Sequence, residues 1–206
     1  MAEAGRTRSA IIDRGVQVAS VEGLEGLTIG RLAADLQMSK SGVLGHFGTK
    51  ESLQLAVLDA AAQVFTAEVP KRARGARSGM PRLLALCAAW VSYLERGVFP
   101  GGCFINAAAL EFDDRGGPVR DAVAGFNSAW QDELGRHVRI AAAAGDLPPE
   151  TDADQVVFEL NGQMLALNVA LQLHRDRAAP DRTRRAMSHL LGHPVLPVAA
   201  ATADRS

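Results

Sequence analysis

Between Thr28 and Phe47 the chain reads TIGRLAADLQMSKSGVLGHF, two short helical periods separated by a two-residue joint. No other stretch constrains the fold as much. Ile29, Leu32, Ala33 and Leu36 recur at i, i+3, i+4 and i+7, which places them on one face of a short helix, and Thr28 is available as its N-cap. Gln37 and Met38 form the joint, and Ser39 can accept a hydrogen bond from the free N–H groups of a second helix ending near Phe47. In that second helix Val43, Leu44 and Phe47 are expected to pack inward. Lys40, Ser41, Gly42, Gly45 and His46 are left outward or at the helix start. Two helices joined this closely make a helix-turn-helix, and small, polar or cationic residues are what a helix entering the major groove requires.

The longer run from Leu27 to Leu53, L-T-I-x-x-L-A-x-x-L-x-M-S-K-S-G-V-L-x-H-F-x-T-K-E-S-L, resembles the DNA-binding signature of TetR/AcrR-type transcriptional regulators. The resemblance is close over about the first sixty residues and extends to the rest only in pattern. It implies a DNA-contacting set of Thr28, Ser39, Lys40, Ser41, Gly42, Gly45, His46, Thr49 and Lys50. One position departs from the pattern: Leu44 stands where many members carry a tyrosine that often touches a DNA phosphate. A leucine cannot donate that bond. Phosphate contacts then fall to Ser39, Lys40, Ser41, His46, Thr49 and Lys50, with the N–H groups opening the helix after Thr49.

Upstream, Ile11, Ile12, Val16 and Ala19 give a helix over about Thr7–Val21, broken by Gly23 and Gly26. Arg6 and Arg8 precede it, in an arm that either reaches phosphates or is a solvated terminus. Downstream, Leu53, Ala56, Val57, Ala60, Ala61 and Val64 sustain a long helix from Lys50 to about Val69. Pro70 ends it, and KRARGARSGMP (Lys71 to Pro81) reads as a linker. Further helices are expected at about Pro81–Arg96, Cys103–Phe112, Pro118–Ala144, Ala153–Arg175 and Asp181–Leu191, with no period-2 run among them. The expectation is an all-α protein of about nine helices, an N-terminal three-helix helix-turn-helix domain followed by a C-terminal helical bundle. Its divisions are a DNA-binding domain at 1–49, a connecting helix and linker at 50–80, a ligand-binding and dimerisation domain at 81–193, and a disordered tail at 194–206.

Composition bounds the partners. With a formal net charge of −1 over 206 residues, DNA affinity must come from where cations sit and from dimerisation rather than bulk charge. The absence of a long apolar run or a signal-like start points to a cytoplasmic protein without a membrane partner. Two cysteines, Cys87 and Cys103, are too few for a disulfide scaffold or a four-ligand zinc site. Cys103, which opens a helix after Pro100-Gly101-Gly102, admits both a sensor reading and an inert packed one. His189 and His193 are spaced i, i+4, but the second lies past Gly192, so no metal is expected, and no cofactor. Glu111, Asp113, Asp114 and Arg115 suit either an acid-base pair or a solvated helix end; the helix end is favoured because no histidine or serine completes a catalytic set.

Eight of the ten aromatic residues lie between residues 90 and 158. Trp90, Tyr93, Phe104, Phe126, Trp130 and Phe158, with Asn106, Asn161 and Met164, are candidates for an apolar pocket with a few polar groups. The segment VVFELNGQMLALNVALQL is too apolar to have one buried face. Gly162, Ala166, Val169 and Leu173, with Ala186 and Leu190 of the last helix, are its candidate dimer contacts. By the family resemblance, the two helices and their symmetry mates would form a four-helix interface. A dimer would read a palindrome with half-sites about 34–36 Å, one helical turn, apart or a multiple of it. The implied function is that of a homodimeric repressor released from double-stranded operator DNA by a small-molecule effector, with no enzymatic activity. The rivals are a constitutive DNA-binding protein and an all-α enzyme using acidic residues of the second domain.

Overall fold

The computed structural model describes residues 2–198 of the chain, with side chains from Gly5 onward. Among the described residues there are ten helical segments and no strand. They are α1 (Ala2–Gly26), α2 (Ile29–Asp35), α3 (Lys40–Phe47), α4 (Lys50–Glu68), α5 (Pro70–Ala73), α6 (Met80–Glu95), α7 (Phe104–Glu111), α8 (Pro118–Ala143), α9 (Ala153–Gln172) and α10 (Ala179–Leu191). α5 is a single turn, so nine longer helices carry the fold.

Several boundaries differ from the sequence expectation: α1 runs on to Gly26 rather than Val21, α9 stops at Gln172 rather than Arg175, and α10 starts at Ala179 rather than Asp181. α1 begins before Thr7, so Arg6 and Arg8 are helical rather than part of an arm, and the Arg8 guanidinium sits 5.1 Å from the centre of the Phe47 ring. The stretch after Pro70 opens with a helical turn, because proline at the first helical position costs no hydrogen bond and its fixed φ suits a helix.

The chain divides into two compact units, one made of residues 1–66 and 97–130 and the other of residues 67–96 and 131–206. In the first, Ile11, Leu24, Leu27, Leu32, Val43, Leu53 and Val57 are sealed from solvent. Gly15 lets α1 and α4 approach: a Cβ there would stand 2.6 Å from Val57 Cγ2. Phe65 of α4 packs edge-on against Trp130, ring centres 5.1 Å apart, and against Phe126 at 5.6 Å. α1 is not continuous. Gly23 adopts φ 80° and breaks the helical hydrogen bonding, and Glu111 of α7 accepts the freed N–H groups of Leu24 and Glu25 at 2.9 and 2.7 Å. The helix-end reading of Glu111 as a solvated charge is thereby corrected. Asp113 and Asp114 are exposed, and Arg115 lies over the Phe112 ring.

In the second unit, Leu83, Leu86, Trp90 and Tyr93 of α6 form a core with Leu160 and Met164 of α9 and Met187 and Leu191 of α10. Asp152 caps α9, accepting from the N–H groups of Asp154 and Gln155. Arg184 is buried but paired, with Asp181 at 2.9 Å and with Glu95. His137 of α8 is also sealed from solvent and accepts the Gly79 N–H on Nδ1 at 3.2 Å, which anchors the residue just ahead of α6. Of the expected tail, residues 194–198 are described: Val195 is buried and its N–H donates to Ser188 Oγ at 2.9 Å. Residues 199–206 lie outside the described residues.

Candidate nucleic-acid interface

The helix-turn-helix is built by two hydroxyl caps. Thr28 Oγ1 accepts the Arg31 N–H at 3.1 Å to start α2, and Ser39 Oγ accepts the Gly42 N–H at 3.0 Å to start α3. Between them, Gln37 takes a left-handed backbone (φ 54°) and the Met38 N–H returns to the Ala33 carbonyl at 2.9 Å, closing the turn. Gly48 ends α3 at φ 75°. Thr49 then caps α4, accepting the Ser52 N–H and donating to Ser52 Oγ, both at 3.0 Å.

Val43 and Phe47 anchor α3 in the core, with Leu32 and Ala33 beneath them on α2. At 100° per residue, the side turned directly away from these anchors belongs to Ser41, Gly42 and Gly45. Leu44 flanks it on one side and His46 on the other, and Lys40, exposed at the helix start, lies beyond Leu44 toward α2. Leu44 is 42% exposed, which overturns the expectation that it packs inward. In an eight-residue helix fixed by two anchors it stands on the shoulder between faces, and the core closes without it.

The cations nearby are unequally free. Arg14 and Arg31 share Asp35, at 2.7 and 3.2 Å, and Arg31 also meets Glu22 at 3.1 Å. The bonds from Arg14 and then Arg31 hold the Asp35 carboxyl below its usual range. Lys50 Nζ is held by the Glu25 carbonyl at 2.9 Å and its carboxylate at 3.1 Å. Glu25 is drawn to low pKa by the Gln54 amide first and Lys50 second. Lys40 has no ion pair among the described residues, and its side chain lies along Gly30 of α2. Of the nine residues nominated from the sequence, Thr28, Ser39 and Thr49 are therefore capping residues and Lys50 is internally paired. Ser41, Gly42, Gly45 and His46 lie on the open side or its edge, with Lys40 beside them.

The nominated pocket and dimer residues separate by unit. Phe104, Asn106, Phe126 and Trp130 belong to the first; Trp90, Tyr93, Phe158, Asn161 and Met164 belong to the second. Asn161 donates its amide to the Val157 carbonyl at 2.8 Å, one turn back. With Phe158, Arg139 and Asp154 it borders a cleft of about 380 Å³. Phe158, Leu165, Val169 and Leu173 are 72%, 41%, 49% and 73% exposed and form one stripe with Gly162 and Ala166, which are also exposed. Ala186 and Leu190 of α10 are half-buried. Cys103 is sealed, and burial pushes its thiol up to about 11, so it lacks the thiolate a sensor needs. No cluster of three or more metal-ligating residues occurs among the described residues. His137 escaped nomination, and Glu111 was read only as an acid-base or helix-end charge; the signal for His137 was its place among Leu134, Val138 and Ala141 on an apolar face.

This helix-turn-helix, carried on an all-helical chain, is the architecture of a DNA-binding transcriptional regulator. Residues 11–57 match the model for bacterial regulatory proteins of the tetR family, and residues 79–187 match the tetracyclin repressor-like C-terminal domain. The chain belongs to the TetR family of DNA-binding transcriptional regulators. Its fold is similar to that of a TetR regulator from Chloroflexus aurantiacus (25% identity, TM-score 0.83), the two aligning over 93% of this chain and 96% of the other. It is also similar to a TetR-family regulator from Cytophaga hutchinsonii (20% identity, TM-score 0.81, 95% and 98% covered). AibR, solved in complex with isovaleryl coenzyme A and operator DNA, matches at 20% identity and TM-score 0.72 over 91% and 98%. No curated protein sequence matches the chain significantly. Among the described residues no helix is long and apolar enough to cross a membrane.

Proposed function

We propose that the chain acts in the cytoplasm as a homodimeric repressor that reads a palindromic operator and is released from it by a small-molecule effector. The observation that carries this reading is the open side of α3, where Ser41, Gly42 and Gly45 present almost no side-chain bulk and a base edge can come close. Ser39, Lys40, Ser41 and His46 are the proposed phosphate and base contacts. Thr28 and Thr49 cap the starts of α2 and α4, the helices before and after α3, and Lys50 fixes the start of α4 to Glu25.

The exposed apolar stripe on α9 supports a second copy as partner. It runs from Phe158 through Gly162, Leu165, Ala166 and Val169 to Leu173, and a contiguous apolar face of this kind marks an interaction site. Ala186 and Leu190 extend it onto α10. An isologous pairing would give two α3 helices related by a two-fold axis, the symmetry of a palindrome. The effector is proposed to bind the C-terminal part, where the cleft beside Phe158 and Asn161 has a volume within the range used by small molecules. The pairing of a small molecule with an operator in AibR suggests the same logic here. Release then needs only that the effector favour a head spacing that does not fit the operator, with couplings of typically 1–3 kcal/mol.

A fluorescence-anisotropy titration against the DNA flanking the chain's own coding region, at two salt concentrations and with unrelated duplex as competitor, tests the reading. Competitor-resistant, salt-sensitive binding at a palindrome is the expected result. Binding no tighter than to unrelated duplex would remove the operator from that region and count against the repressor role.

A further inference from the structure

Leu44 is a large side chain on the recognition helix that is not one of its buried anchors and can make no polar contact. Val43 and Phe47 fill the inward side, and Leu44 stands 42% exposed beside Lys40. A lone exposed leucine is ordinary on a protein surface; its setting is what distinguishes it. The side of α3 turned away from the core offers only Ser41, Gly42 and Gly45, and a Cβ added at Gly45 would meet nothing within 4 Å. With so little bulk between the backbone and whatever it faces, the side chains able to reach sideways to base edges are the flanking ones, Leu44 and His46, joined by the long Lys40 at the helix start. Lys40 and His46 can form hydrogen bonds. Leu44 has no atom that can donate or accept one, so it contributes nothing to a phosphate or to the polar edge of a base.

The major groove has one apolar feature, the C5-methyl group of thymine. We infer that Leu44 is a specificity determinant that packs on a thymine methyl in each half-site. The inference rests on the operator-reading function proposed above and deepens it, by assigning one base identity to one residue. The position also limits what can replace thymine. Cytosine offers an amino donor and no methyl, and a purine brings polar ring-edge atoms against the leucine, so each would leave polar groups unmatched.

The test begins with duplexes enriched by the full-length wild-type chain from a randomised library. Each thymine of the enriched site is then replaced in turn by deoxyuridine, which removes the methyl group and leaves every hydrogen-bonding atom in place. Wild type is expected to lose about four-fold in affinity at one thymine per half-site, the factor that goes with one buried methyl group. Leu44→Ala should bind the thymine and uracil duplexes equally, with a modest fall in melting temperature because part of its side chain is covered. If full replacement of thymine by deoxyuridine leaves wild-type affinity unchanged, or if Leu44→Ala retains the whole thymine preference, the assignment to Leu44 is wrong while operator reading stands. If no duplex is enriched over unrelated DNA, operator reading itself fails, and the assignment with it. The uracil series uses the wild-type chain, so the result does not depend on how well the variant folds.

Discussion

The Glu111 carboxylate accepts the backbone N–H of Leu24 at 2.9 Å, and its second oxygen takes the next N–H, that of Glu25. These donors are free because Gly23 breaks α1 just before them, so a side chain from α7 completes a helical turn that the local sequence cannot. Nearby, the Gly101 N–H donates to Ser20 Oγ at 3.0 Å, and a Cβ on Gly101 would fall 1.6 Å from the Ser20 carbonyl oxygen. The end of α1 is thus held at two points by chain that lies some eighty positions later. Glu111→Ala leaves two N–H groups without an acceptor and should cost about 1–3 kcal/mol, seen as an earlier urea midpoint at unchanged m-value. Stability equal to wild type would mean water replaces the carboxylate without loss.

His137 gives the protein a pH dependence of definite sign. Burial, and then the charge of Arg136, lower its pKa below the usual 6.5, outweighing the Glu133 carboxylate 3.2 Å from Nε2. The unfolded chain therefore takes up this proton at higher pH than the folded one. The stability contributed by neutral His137 is complete above pH 6.5 and is lost as the pH falls from there through the folded value. Protonation would also turn Nδ1 from acceptor to donor, opposite the Gly79 N–H. Urea melts at about pH 7.5 and about pH 5.5 should show wild type weakening at the lower value. His137→Leu should be less stable than wild type at the higher pH, because the Gly79 N–H is left unmet, and should lose less on acidification.

Gly162 separates assembly from folding. A Cβ there meets nothing within 4 Å inside the chain, so Gly162→Leu fits the subunit, and leucine favours a helix over glycine by about 1 kcal/mol. If the stripe from Phe158 to Leu173 lies against a second copy, the larger side chain holds the two helices apart. Sedimentation velocity should then show a smaller species for the variant, at a melting behaviour no worse than that of the isolated wild-type subunit. An unchanged mass would place the partner surface elsewhere.

Lys40 is the cation beside the open side of α3 that has no ion pair among the described residues. Lys40→Ala should weaken DNA binding while leaving thermal stability within about 0.5 kcal/mol. The slope of log affinity against log salt should become shallower by about 1 for each phosphate that the lysine no longer neutralises. An unaltered slope would take Lys40 off the phosphates.

What the sequence made legible was local. Thr28 and Ser39 announced helix starts because capping is decided within three residues, and α2, α4, α6 and α9 carry apolar periods long enough to read. The rest depends on distance or on narrow geometry. Nothing near Gly23 signals that its break is repaired by Glu111, and nothing near His137 signals Gly79. The segment after Pro70 has the composition of a linker, yet proline there starts a turn of helix. Leu44 shows the limit of periodicity: eight residues give two inward anchors, and a third apolar residue lying between faces cannot be assigned by pattern alone. The candidate interface was found through its caps and small residues, while the ion pairs that occupy Arg14, Arg31 and Lys50 were invisible until those side chains could be placed.

Those ion pairs bear on how a target would be found. Arg14, Arg31 and Lys50 are already balanced by Asp35, Glu22 and Glu25, so the helix-turn-helix offers duplex little of the indiscriminate attraction that keeps a protein sliding along non-target sequence. Sliding would be brief, and the contacts made at the right site would carry most of the salt dependence of binding.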